Sequence, residues 1–82
     1  MKPVVLLSAS EQKFSFSVPV SEDEYAATTT INVRVYGPNL SDYWAAPNPY
    51  IMLSDEERAF AENLAKLETA RIIQSRQASA KP

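Results

Sequence analysis

The chain has no cysteine and no histidine, and its 82 residues include a single glycine. Without cysteine there is no disulfide staple and no thiolate metal site. Without histidine the commonest general base and the commonest transition-metal ligand are both missing. One glycine is too few for a glycine-rich phosphate loop. Long apolar runs are missing too. No stretch approaches the roughly 20 apolar residues of a membrane span. The run near the start, Val4 to Leu7, is shorter than the roughly 7–15 residues of a signal-peptide core. The expectation is a protein that is not membrane-bound and is cytoplasmic, or incorporated into a particle assembled there.

The remaining reactive groups are unpromising. Glu22-Asp23-Glu24 and Asp55-Glu56-Glu57 lack the ligand spacing and turn glycine of a calcium loop, and neighbouring residues on one element point in different directions. They read as a solvated loop and a helix start. Serine, threonine and tyrosine are plentiful, but a nucleophile needs a base within reach, and no spacing singles out such a pair. The reading is no enzyme, no cofactor and no metal. With a net charge of −2, the chain lacks the basic excess of a nucleic-acid binder.

An apolar fraction of 45% against 22% charged is ordinary for a globular protein and argues against global disorder. The pattern predicts one domain over residues 1–76 and a disordered tail over 77–82. Strands are predicted over about 3–8, 13–20 and 28–36. "KFSFSVPV" alternates, with Phe14, Phe16, Val18 and Val20 on one face. Pro19 has no N–H and so belongs at an edge or near a strand end. "TTTINVRVYG" alternates again, with Ile31, Val33 and Val35 on one face. The pair Gly37-Pro38 ends it.

A helix is predicted over about 55–76. Ser54 with Glu57 three residues on forms a capping box, and Asp55, Glu56 and Glu57 suit the positive end of the helix dipole. At 100° per residue Phe60, Leu64 and Leu67 fall on one line, with Ala61, Ala65 and Ile72 beside it. The predicted fold class is therefore α+β: a small three-stranded antiparallel sheet packed by one long C-terminal helix, with a long loop over 37–53 between them. About 22 helical residues span roughly 33 Å, more than a strand of seven. The apolar stripe degrades past Leu67, where Glu68 and Arg71 fall within the same arc and Ile73 points to the opposite side, so the last turns are expected to project. Charge divides along the chain: nine acids and four bases up to Glu62, then four bases and one acid. That division fits both a helix obeying its dipole and a basic tip that meets a partner.

The loop "PNLSDYWAAPNPYIML", Pro38 to Leu53, holds three of the six prolines, three of the eight aromatics and the only tryptophan. Loops this long in a small domain are generally functional or disordered, and its aromatics argue against disorder. Prolines stiffen it, and Tyr and Trp offer large contact area with a polar handle. Ile51, Met52 and Leu53 read as core. Tyr43, Trp44 and Tyr50 read as partner contacts, with Arg71, Ile73 and Arg76 of the helix tip as a second candidate surface. The expected function is non-catalytic binding of a protein partner or of further copies of the chain, as a small accessory subunit of a larger complex such as a virion. The alternative is a free-standing small inhibitor of a host enzyme or defence complex, of the kind phages encode.

The cap yields the first prediction. Ser54→Ala should lower unfolding stability by about 0.5–2 kcal/mol in a denaturant titration. An unchanged midpoint contradicts the assigned helix start.

Overall fold

The computed structural model describes the backbone of residues 1–80 and the side chains of residues 1–78. Four strands precede the helix: β1 Val5–Ala9, β2 Lys13–Pro19, β3 Thr28–Val35 and β4 Tyr43–Pro47, then α1 Asp55–Ala80, with a short 3₁₀ turn at Leu40–Asp42 before β4. The strands form one antiparallel meander in the order β1-β2-β3-β4. The α+β class with a C-terminal helix is as the sequence predicts. The number of strands is not, because part of the expected 37–53 loop is β4.

The β2–β3 hairpin is the centre of the sheet, in register from Lys13↔Arg34 to Pro19↔Thr28. Pro19 stands at the strand end, where its missing N–H interrupts no further pairing. Three residues, Ser10 to Gln12, connect β1 to β2. Ser10 N–H donates to the Lys13 carbonyl at 2.8 Å, and Lys13 N–H donates to Ser10 Oγ at 3.1 Å. The β1–β2 register shifts between Leu6 and Ser8, a bulge that leaves Leu7 without an opposite residue.

The only glycine sits where space demands it. A Cβ on Gly37 would lie 2.8 Å from Asp42 Cγ. That carboxylate is fixed, because Asp42 Oδ2 accepts the Asn39 N–H at 3.0 Å and closes the 3₁₀ turn. Tyr36 N–H then donates to the Asp42 carbonyl at 2.9 Å, which brings the chain back beside β3 to start β4. The Asn39–Asp42 corner therefore delivers to the edge of β3 a strand whose Tyr43 and Trp44 favour β structure while its two alanines and Pro47 do not.

One face of the sheet is buried under α1, which packs on β2, β3 and β4. Phe14, Phe16, Val18, Ile31, Val33, Tyr43 and Ala45 supply the sheet side of the core. Phe14 and Phe16 lie parallel, ring centroids 6.3 Å apart. The helix side differs from the predicted stripe. Ala61, Ala65 and Thr69 are fully buried, one helical turn apart, while Phe60 and Leu64 are half-buried flanks and Leu67 is exposed. Small residues let the helix seat close to a sheet that already carries the bulk. Ile73, expected on the far side, packs against the core with Ala70 and Ile72. Inside this contact the Thr69 hydroxyl donates to the Ala65 carbonyl at 2.8 Å, so its burial leaves no bare donor.

The capping box forms as predicted. Glu57 N–H donates to Ser54 Oγ at 3.1 Å, and Ser54 N–H donates to Glu57 Oε1 at 3.0 Å. The helix does not stop at Arg76. It runs 26 residues to Ala80, about 39 Å, and sets the 43 Å long axis of the molecule. Residues 77–80, expected to be disordered, continue it; Lys81 and Pro82 lie outside the described residues.

The close seat of the helix ranks three substitutions. Phe16→Ala should cost about 3–5 kcal/mol. Ala65→Leu should cost roughly 1–3 kcal/mol by pushing α1 off the sheet. Leu64→Ala should cost less than Phe16→Ala, as a half-buried side chain loses less on truncation. Urea midpoints measure the order, and Leu64→Ala as the most damaging of the three contradicts the packing.

Candidate functional site

The helix leaves the second face of the sheet uncovered, and the strand register decides what stands there. Lys13 lies opposite Arg34, and Arg34 lies opposite Trp44, so these three side chains form a row across β2, β3 and β4. The next row runs Ser8, Ser15, Asn32 and Ala46 across all four strands. Long side chains thus stand beside a trough of short ones, and Tyr36 closes the end beyond Arg34. The result is a shallow groove of about 470 Å³.

Trp44 is 66% exposed, although it sits within a regular strand. Its neighbour Tyr43 is 6% exposed and belongs to the core. Alternation along β4 separates the two, since successive side chains point to opposite faces. The pairing of Tyr43 with Trp44 as joint contacts is therefore corrected: only Trp44 faces outward. Ala45 follows Tyr43 inward.

The groove's polar groups are biased in kind. The Ser15 hydroxyl donates to Asn32 Oδ1, which leaves the Asn32 amide hydrogens directed elsewhere. Neither Lys13 nor Arg34 forms an ion pair among the described residues; the two pairs present, Arg58–Asp55 and Arg71–Glu68, are both on the helix. Indole N–H, guanidinium, ammonium and free amide N–H are all donors. Among the described residues no carboxylate lines the groove.

The other expected contacts are dispersed. Tyr50 is 92% exposed in the turn after β4, where its N–H donates to Asn48 Oδ1 at 2.9 Å. Ile51, Met52 and Leu53 were expected in the core. Met52 is 99% exposed, Ile51 is exposed and Leu53 is half-buried. On the helix, Arg71 is engaged with Glu68 through Nε, 3.0 Å from Glu68 Oε1, and through Nη2. The hydrogen bond and the charge of Glu68 raise the Arg71 pKa above its ordinary value. Ile73 is partly buried against the core. Arg76 folds back on the sheet. Its Nη1 donates to the Ser10 carbonyl at 2.9 Å, and its guanidinium carbon lies 5.1 Å from the Phe14 ring centroid. This attraction between cation and ring fixes the helix end to the β1–β2 turn. The expected basic tip is thus largely engaged within the fold, and Trp44 is brought together instead with Lys13, Asn32, Arg34 and Tyr36. Sequence reasoning passed over those four because their nearness depends on register, and the one available signal was the outward set of each alternating strand.

No protein-family model, curated protein or solved structure matches this chain.

An outward Trp44 has a direct thermodynamic consequence. Trp44→Ala should change unfolding stability by no more than about 0.5 kcal/mol, as at other exposed positions. Calorimetry measures it, and a large drop in the thermal midpoint would assign Trp44 to the core.

Proposed function

We propose that the chain is a non-catalytic protein-binding module, an accessory subunit of a larger assembly, and that the open face of its sheet is the contact surface. The observation that carries this reading is the placement of Trp44, exposed at the rim of a groove on a strand whose alternate residues fill the core. Tryptophan and arginine are the residues most enriched at binding hot spots, and here they stand directly opposite each other on adjacent strands. A rigid sheet also holds them in place before binding, which lowers the entropy cost of association.

A second reading, the free-standing inhibitor, is favoured by the reciprocal Ser54–Glu57 cap and by a core that the chain's own residues close on one sheet face. The same face would serve it. The two differ in what is captured, a multi-subunit assembly or a single enzyme whose activity falls on binding.

The test is affinity capture from the native source, with the full chain and its Trp44→Ala variant as baits after both are shown to fold. The reading predicts a partner retained by the parent chain and bound at least about 30-fold more weakly by the variant, corresponding to the ~2 kcal/mol of a hot spot. Equal retention by both baits contradicts the assignment of this face.

A further inference from the structure

The groove's chemistry narrows what it can hold. Its nitrogen groups are donors: the Lys13 ammonium, the Arg34 guanidinium, the Asn32 amide and the Trp44 indole N–H, beside the Ser8, Ser15 and Tyr36 hydroxyls, which can donate or accept. Among the described residues no carboxylate lines the groove, although the chain as a whole is acidic. Six of the ten acids lie in the loop at Glu22–Glu24 and in the first turn of α1, and Asp42, whose backbone pairs with Tyr36, has its carboxylate on the Asn39 N–H. A surface of donors with two cations and no counter-charge is complementary to an anion. Arg34, in the middle of its row, suits a carboxylate, which its planar fork can hold with two parallel hydrogen bonds. Trp44 on one side and Tyr36 at the end add apolar walls for a neighbouring side chain.

Resting on the open-face reading above, we infer that the partner presents an extended acidic segment to this groove, with a carboxylate on Arg34 and Lys13 and an adjacent apolar side chain against Trp44. The alternation of an extended peptide fits the layout. Successive side chains point to opposite sides, so residues two apart meet the face about 7 Å from each other. Single-stranded nucleic acid is the other anion that stacks on aromatics, but it requires a positive groove that tracks its backbone. Two cations in one row do not form such a track, and the Glu22–Glu24 loop adds negative charge to the molecule's field.

Trp44 is the only tryptophan, so its fluorescence reports the groove directly. The experiment titrates the full chain with three probes: a blocked octapeptide alternating Glu and Leu, the same peptide with Lys in place of Glu, and an oligomer of deoxythymidine. The expected result is a saturable change in Trp44 emission with the Glu peptide alone. Its affinity should fall about tenfold in Arg34→Gln and should weaken as salt is raised. Arg34 is exposed, so the variant keeps the fold, which circular dichroism verifies. Tighter binding of the oligonucleotide overturns the inference in favour of nucleic acid. Absence of any response, or equal response to the Lys peptide, overturns it outright. A captured partner that needs Trp44 but is indifferent to Arg34→Gln and to salt would leave the open-face reading standing and sink the acidic segment alone.

Discussion

The fold depends on the contact between a bulky sheet face and a small-residue stripe of one helix. Among the described residues there is one α-helix, and it covers one face of the sheet. Ala61, Ala65 and Thr69 bring α1 close to Phe14, Phe16, Ile31, Val33 and Tyr43, so the interior is closed by aromatic and branched side chains from one side only. Small domains have little stability to spare because their surface outweighs their volume. That makes the close seat of the helix, the reciprocal Ser54–Glu57 cap and the clasp of Arg76 on Ser10 and Phe14 parts of one device. The first fixes the helix in depth, the second fixes where it starts, and the third fixes its far end.

Everything left over by that arrangement is surface with distinct character. The second sheet face keeps the outward residues of β2, β3 and β4, among them Trp44. Strand β1 lies at the sheet edge, and Val5, Leu6 and Leu7 are all exposed. Leu6 is paired with the buried Phe16 and so shares its face, but stands beyond the width that the helix covers. An apolar edge invites pairing with another chain, and the bulge at Leu7 is one of the devices that blunts such an edge. Exposed apolar residues here therefore come from geometry, and only where register adds unpaired cations beside an aromatic does the surface acquire a defined chemical preference.

Much of this was legible in the sequence. The period of two in "KFSFSVPV" and "TTTINVRVYG" identified the inward faces of β2 and β3, and the Ser54–Glu57 pair located the start of α1. Strand β4 was not legible, since "YWAAP" is short, ends in proline and lacks β-branched residues. It is a strand because the Asn39–Asp42 corner delivers it to the free edge of β3. The centre of the helix stripe differs for a related reason. Phe60, Leu64 and Leu67 are the largest apolar residues of the stripe, whereas a sheet rich in phenylalanine selects Ala61 and Ala65, which the periodicity places beside them. Trp44 was found by its rarity, but its neighbours Lys13, Asn32, Arg34 and Tyr36 become neighbours only through pairing across strands, which no local pattern encodes.

Trp44 stands in water, beside the cations Lys13 and Arg34, on a protein whose net charge is −2. Collisional quenching of the single tryptophan by iodide and by caesium tests both halves at once. Each ion's quenching constant is taken relative to its value for free N-acetyltryptophanamide. The expected result is red-shifted emission and a higher relative efficiency for iodide than for caesium, because Lys13 and Arg34 concentrate the anion. Blue-shifted emission resistant to both ions, or a preference for caesium, would contradict it.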